Sequence, residues 1–222
     1  MPGVGPLPRL ATVNDEAEHD GAALGVLIPV KSFDLAKGRL AESLTVTERS
    51  GLAERMAAGV IAAASPMPTW VVCNSHDVAA WAMACGAKVI WRSEPGLNQS
   101  VTAGVAFLAT IGIDRAIIAH GDLPLARDLG WVAAFDGVTI VPDRRGEGTN
   151  VMAVPTGAGF VFAYGAGSAP KHRAEAERLS LPVRVVPDPE LGWDVDTPDD
   201  LDVFAEGNGG MLAAMPNEPT TS

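Results

Sequence analysis

Three aspartates and one cluster of basic residues are the side chains in this sequence whose types and spacing best suit chemistry. His120-Gly-Asp122-Leu-Pro124 follows the apolar run Arg115–Ala119. A strand that runs into Gly-Asp sets the Asp122 carboxylate at the strand's carboxyl end. Hard cations such as magnesium bind there through one or two carboxylates plus substrate phosphates. The competing use of Asp122 is as the cap of a helix opening near Leu125, and His120 reads as structural. The second acidic element is Trp193-Asp194-Val195-Asp196-Thr197-Pro198-Asp199-Asp200. Alternation along an extended segment puts Asp194 and Asp196 on one side. Two like charges so placed require something positive between them, which a metal shared with Asp122 would supply. Thr197, Asp199 and Asp200 are accounted for as helix caps, with Pro198 at the first helical position.

The basic cluster is Lys31-Ser-Phe-Asp-Leu-Ala-Lys37-Gly-Arg39. The chain has 16 Lys and Arg, of which only four are Lys, and two of those lysines fall in this window. A basic loop just beyond a first parallel strand is where a nucleotide triphosphate binds; the plain alternative is a solvated loop. It is not a Walker A loop, because GxxxxGK[ST] is absent. Two weaker elements follow. Asp143-Arg-Arg-Gly-Glu-Gly-Thr149-Asn150 carries glycines that would let backbone amides point at an anion. Gly165-Ala-Gly-Ser168 leads into a helix with Lys171, His172 and Arg173, a helix start suited to a phosphate or carboxylate. Both patterns are also common turn and cap chemistry.

The elements that must position these residues alternate. Strands are predicted at Leu24–Val30, Trp70–Cys73, Lys88–Trp91, Arg115–Ala119, Val138–Val141, Asn150–Val154, Gly159–Ala163 and Val183–Val186. Helices are predicted at Thr47–Ala64, Val78–Cys85, Asn98–Ile111, Ala126–Phe135, Ala169–Leu179 and Pro198–Phe204, the first capped by Thr45 or Thr47. This is an α/β protein with a Rossmann-like, mainly parallel sheet and helices on both faces. Ligands of such sheets bind beyond the carboxyl ends of the strands, at a switch in strand order. The loops at 31–39, 74–77, 92–99, 120–125 and 142–149 therefore matter most. Residues 1–23 and 207–222 read as disordered lead-in and tail, leaving one domain at 24–206.

A net charge of −11 argues against nucleic acid or an anionic membrane surface as partner, since phosphate neutralisation supplies most such affinity. Cys73 and Cys85 have no ligand spacing and read as buried thiols. The first residues carry acids and no apolar core, and no run of about 18 apolar residues occurs, so a cytoplasmic enzyme is expected.

IPVKSFDLAKGRLA, GLNQSV at 96–101, HGDLPLA, DRRGEGTN and DVDTPDDL occur in an order that resembles the guanylyltransferases of coenzyme F-420 biosynthesis, which act on 2-phospho-L-lactate or phosphoenolpyruvate. The resemblance spans about residues 24–206. It implies a nucleotide-diphospho-sugar transferase (GT-A-like) nucleotidyltransferase fold and GMP transfer from GTP to a small phosphorylated carboxylic acid. It implies Mg2+ as cofactor, with metal aspartates at Asp122 and Asp194 and with Asp196 close by. Lys31 matches the phosphate-binding lysine, and Thr149, Gly165 and Ser168 match the acceptor-binding positions. Lys37 and Arg39 would steady the triphosphate, and Asn74 and Asn98 are candidates for reading base or ribose. The product would pass to a downstream deazaflavin transferase, and a homodimer is compatible with the family. A molybdopterin- or sugar-phosphate-type transferase would usually carry a glycine-rich loop after the first strand; here no glycine precedes Gly38. A non-catalytic nucleotide-binding relative would not be expected to keep Lys31 and all three aspartates.

Overall fold

A computed structural model of the chain describes residues 22–93 and 96–200. The expected lead-in up to residue 21, the tail, and the expected helix beyond residue 200 lie outside the described residues. Seven strands form one sheet: β1 (Leu24–Pro29), β2 (Thr69–Cys73), β3 (Lys88–Trp91), β4 (Arg115–Ala119), β5 (Val138–Pro142), β6 (Thr149–Pro155) and β7 (Val183–Val185). Their order is β3-β2-β1-β4-β6-β5-β7. All neighbours pair parallel except β6, which runs antiparallel to both β4 and β5. Helices α1 (Val46–Ala63), α2 (His76–Ala84), α3 (Leu97–Thr110) and α4 (Ser168–Arg178) accompany them.

The runs in β2, β4 and β5 are buried along their whole length, because both faces of the sheet are covered. Val26, Ile28, Val71, Cys73, Ile117 and Ala119 pack with α1, α2 and the 123–133 segment. The alternate residues Leu27, Trp70, Val72, Ala116 and Ile118 pack with α3 and α4. Period-two alternation thus divides two apolar cores rather than a core from solvent. α3 lies so close that a Cβ on Gly104 would stand 2.6 Å from a Leu27 methyl. Thr45 caps α1 through a capping box with Glu48: the Glu48 amide donates to Thr45 Oγ1 and the Thr45 amide donates to Glu48. Such a cap contributes about 1 kcal/mol.

Two expectations are corrected. Ala126–Phe135 is not a helix beyond a single 3-10 turn at Gly130–Ala133. The Leu129 amide donates to the last turn of α1 at Ala63 O, and Asp128 accepts from the Gly130 amide; these bonds replace an i→i−4 ladder. Gly159–Ala163 is not a strand. Side chains of α4 take its amides instead, Glu175 from Val161 and His172 from Ala163, while Phe160 and Phe162 anchor it in the core. Cys73 and Cys85 are free thiols.

Strand order reverses between β1 and β4. The carboxyl ends of those two strands carry the basic loop and the Asp122 loop. Because β6 is reversed, its first residues, Thr149 and Asn150, arrive at the same edge. The His120 amide donates to Asn150 O, tying the two sides of the edge together.

Candidate active site

The basic loop is shaped by two 3-10 turns, Phe33–Leu35 and Gly38–Leu40. Phe33 and Leu40 are buried under them, and Leu40 joins Leu52 and Met56 of α1 and Val195 in a small apolar cluster. That cluster holds the loop against the 193–196 segment. Lys37 between the turns takes a left-handed conformation, φ 53°. Its side chain is only 8% exposed and its ammonium lies 2.5 Å from Asp122 Oδ2 and 3.2 Å from Asp196 Oδ1. Burial alone would lower the Lys37 pKa, but Asp122 and Asp196 outweigh it and hold it above its ordinary value. Burial likewise pushes Asp122 up, yet Lys37 and His120 keep it below the usual carboxylate range. Arg39 is an outer member, 75% exposed and 3.7 Å from Asp196 Oδ2.

Asp194 is the odd member. Burial first, then repulsion from Asp122 and Asp196, raise its pKa, and the hydrogen bond from Asn150 offsets only part of this. Asn150, which sequence reasoning left without a role, is buried and also donates to Leu191 O. Asp122 Oδ1 is buried and, among the described residues, has no hydrogen-bond partner. A partnerless carboxylate oxygen beside a destabilised carboxylate is a donor set that fits a divalent cation. Among the described residues no three His, Cys, Asp or Glu side chains group around one point for a metal. Asp196 is turned to Lys37 and Arg39 instead, so Asp122 and Asp194 are the carboxylates that could hold a divalent cation. Asp200 does cap, accepting from the amides of Asp196 and Thr197 at 2.9 and 2.7 Å. It is also buried against Arg144, which lies over the Trp193 ring. Burial raises Asp200, but Arg144 and those amides hold it at about 2.

Of the other expected nucleotide residues, Lys31 is exposed two positions beyond β1, and among the described residues none pairs with it. Asn74 is exposed just after β2. Asn98 is differently employed: its amide accepts from Tyr164 N at 2.7 Å and donates to Tyr164 O at 3.3 Å. It clamps the segment before Gly165 rather than facing open space.

The acceptor-matching residues do come together. Ser168 Oγ lies 3.3 Å from Thr149 Oγ1, and both residues are 2% exposed. Gly165 has φ +121°, a conformation side chains avoid, and its carbonyl accepts from Ser168 N. Several backbone amides of the two glycine loops are used within the protein. Asp143 Oδ1 takes the amides of Arg145 and Glu147, and Asp143 O takes that of Gly146. At the start of α4, the Ser168 and Ala169 amides donate to Gly165 O and Glu147 O, and Pro170 has none. The Thr149 and Ser168 hydroxyls lie beside these engaged amides. His172, unassigned from sequence, is fully buried beneath them and contacts Thr149 Oγ1 through Nδ1 at 3.0 Å. The signal for it was helical spacing: Ser168, His172 and Ala176 share the buried stripe of α4.

The guanylyl transferase CofC like family matches residues 24–213. The chain belongs to that family. It is 37% identical over 192 residues to a phosphoenolpyruvate guanylyltransferase of Conexibacter woesei, covering 81% of this chain and 86% of that protein. It is 32% identical over 193 residues to a 3-phospho-D-glycerate guanylyltransferase of Phenylobacterium zucineum, covering 81% and 88%. Among solved structures, it aligns with a chain from Desulfovibrio desulfuricans G20 described as a nucleotide-diphospho-sugar transferase. The TM-score is 0.68 at 16% identity, over 86% of this chain and 90% of that one. That likeness establishes the fold expected from the sequence, and the family establishes a guanylyltransferase. Among the described residues no helix is long and apolar enough to cross a membrane.

Proposed function

We propose that the chain transfers the GMP unit of GTP to phosphoenolpyruvate, or to a closely similar phospho-acid, and releases pyrophosphate. An oxygen of the acceptor's phosphate attacks the α-phosphorus of GTP. The bond from that phosphorus to the bridging oxygen of the β-phosphate breaks, and its electron pair leaves with pyrophosphate. The attacking oxygen is already ionised at neutral pH, so no general base is required, and no histidine or cysteine nucleophile is invoked. What the protein must supply is alignment and neutralisation of crowded negative charge.

The observation that carries the reading is Asp122. It stands at the switch point of a guanylyltransferase-family sheet, one oxygen on buried Lys37 and the other, among the described residues, without a partner. Asp122 and Asp194 would hold magnesium, which when bound supplies neutralisation of the phosphate oxygens. Lys31, exposed at the same edge, binds the triphosphate together with Arg39. Lys37 keeps Asp122 ionised and oriented. Thr149, Gly165 and Ser168 take the acceptor. Phosphoenolpyruvate is favoured because relatives bearing that name align along most of the chain. On this reading the product is a substrate for a downstream deazaflavin transferase, as the resemblance to the F-420 enzymes implies.

Incubation with GTP, magnesium and, separately, phosphoenolpyruvate, 2-phospholactate or 3-phosphoglycerate, followed by mass spectrometry, tests this directly. A guanosine diphospho-linked acid and pyrophosphate are expected, most rapidly with phosphoenolpyruvate. Equal turnover of ATP would overturn the GTP assignment, and faster turnover of another acid would reassign the acceptor. Asp122→Asn should cut kcat at least about a hundredfold, the scale of losing one charge-stabilising group.

A further inference from the structure

We infer that His172 is a positioning residue that fixes the hydrogen-bond polarity of the Thr149–Ser168 pair, so that the pair presents one hydroxyl proton to an anionic oxygen of the acceptor. The inference rests on the acceptor-site reading above and adds to it a residue and a reason for its selectivity.

The backbone amide of Ala163 lies 2.9 Å from His172 Nε2. An amide nitrogen can only donate, so Nε2 must be the bare nitrogen of the ring. A neutral imidazole then carries its proton on Nδ1. Burial, and then the neighbouring His120 and Lys171, hold the ring at a pKa of about 4, which keeps it neutral. Nδ1 stands 3.0 Å from Thr149 Oγ1, so the ring donates and the threonine accepts. Thr149 therefore cannot give its own proton to His172. Thr149 and Ser168 own two hydroxyl protons, and one lies between them at 3.3 Å. Whichever way that bond runs, one proton is left over. Among the described residues nothing accepts it, although both side chains are almost fully buried. A buried donor without a partner is unfavourable and is satisfied when a ligand oxygen arrives.

The surroundings keep the ring from turning over. Tyr164 packs edge-on against His172 with centroids 4.8 Å apart, Phe162 does so at 6.3 Å, and Phe160 lies tilted at 6.0 Å. Asn98 clamps the backbone of Tyr164. The pair also lies at the right edge: Asn150, the residue after Thr149, bonds Asp194. With the opposite tautomer, Thr149 would donate to Nδ1 and the surplus proton would vanish. The pair would then repel a carboxylate or phosphate oxygen with lone pairs.

Steady-state kinetics of His172→Phe, His172→Asn, Thr149→Val and the double variant His172→Phe/Thr149→Val test this. Phenylalanine keeps the ring but removes both nitrogens. Asparagine can return a donor at the place of Nδ1. His172→Phe should raise the KM for the acid at least about tenfold, the lower end of the scale of one hydrogen bond to a charged group, with KM for GTP within about twofold. His172→Asn should recover most of that loss. In the double variant, the histidine change should add nothing to the effect of Thr149→Val. Multiplying effects, an equal rise in the GTP constant, or no rescue by asparagine would overturn the inference. If Thr149→Val alone leaves acid KM unchanged, the acceptor-site reading falls as well. If it raises KM and His172→Phe does not, only the role of His172 falls. Should the phenylalanine variant not fold, nitrogen NMR of the intact chain with labelled histidine decides: a protonated Nδ1 and bare Nε2 are expected, and the reverse tautomer overturns the proposal.

Discussion

The corner built from Lys37, Asp122, Asp194 and Asp196 and the corner built from Thr149, Ser168 and His172 share one edge of the sheet and are stabilised in opposite ways. The first is ionic and unbalanced. Two carboxylates, Asp122 and Asp196, share one buried ammonium, and among the described residues Asp122 Oδ1 has no partner while Asp194 is repelled by its neighbours. The second is neutral and closed, with a single hydroxyl proton in surplus. An ionic corner is completed by charge, whatever carries it. A neutral, directional corner is completed by geometry. The division suits a reaction in which one substrate brings a highly charged triphosphate and the other must be told apart from similar small acids.

The largest expected effect that would sharpen this contrast is the removal of Lys37. Lys37→Met should destabilise the fold by about 2–4 kcal/mol, less than the full cost of breaking a wholly buried pair because Asp196 reaches solvent. Millimolar magnesium should restore part of the melting temperature if the corner is completed by charge alone. A variant as stable as the parent would mean that the short Lys37–Asp122 contact does not hold the loop.

The neutral corner should respond to acid rather than to ions. The pKa of His172 is depressed in the fold, from 6.5 to about 4. The unfolded chain therefore binds a proton first as pH falls. The associated stability is complete above about pH 6.5 and is lost progressively towards pH 4, by up to about 3 kcal/mol. Chemical denaturation at pH 7 and pH 4.5 measures it, and His172→Phe should flatten the difference. An unchanged slope in that variant would show that His172 is not the group being protonated.

The smallest effect has an unusual sign. Asp194→Asn removes a carboxylate that the free protein disfavours, so the melting temperature should rise by a few degrees at most, on the scale of about 1 kcal/mol. Turnover should fall sharply in the same variant. A drop in melting temperature would mean that the hydrogen bond from Asn150 outweighs the repulsion.

The two corners were not equally legible in the sequence. The ionic one follows from local rules: an apolar strand running into Gly-Asp, a basic loop after the first strand, and alternation across Asp194 and Asp196. What could not be read was that Lys37, rather than Lys31, reaches Asp122, because that depends on the left-handed turn at Lys37 and on Leu40 packing against α1. The strands were legible wherever their apolar runs are buried on both faces. Gly159–Ala163 is equally apolar, but Val161 faces solvent and Glu175 and His172 from a later helix take its amides, so it is no strand. Ala126–Phe135 has a helical pattern, but Asp128 and the end of α1 claim the amides first. The neutral corner depends on partners 23 and 9 residues from His172, and no local pattern announces which way an imidazole will point.

The reversed strand β6 makes register a kind of address. Thr149 and Asn150 are neighbours, yet one serves the hydroxyl pair and the other reaches Asp194 and Leu191. Side chains alternate along the strand, so a slip of one residue against β4 would exchange them: the amide would enter the hydroxyl corner and the hydroxyl would face the carboxylates. The β5–β6 ladder already contains one irregularity, between Val141 and Pro142, on the turn side of the strand. Length changes within 143–148 fall in that turn, whereas a single insertion or deletion inside β6 would also exchange Val151 and Ala153 with Met152 and Val154 between the two cores.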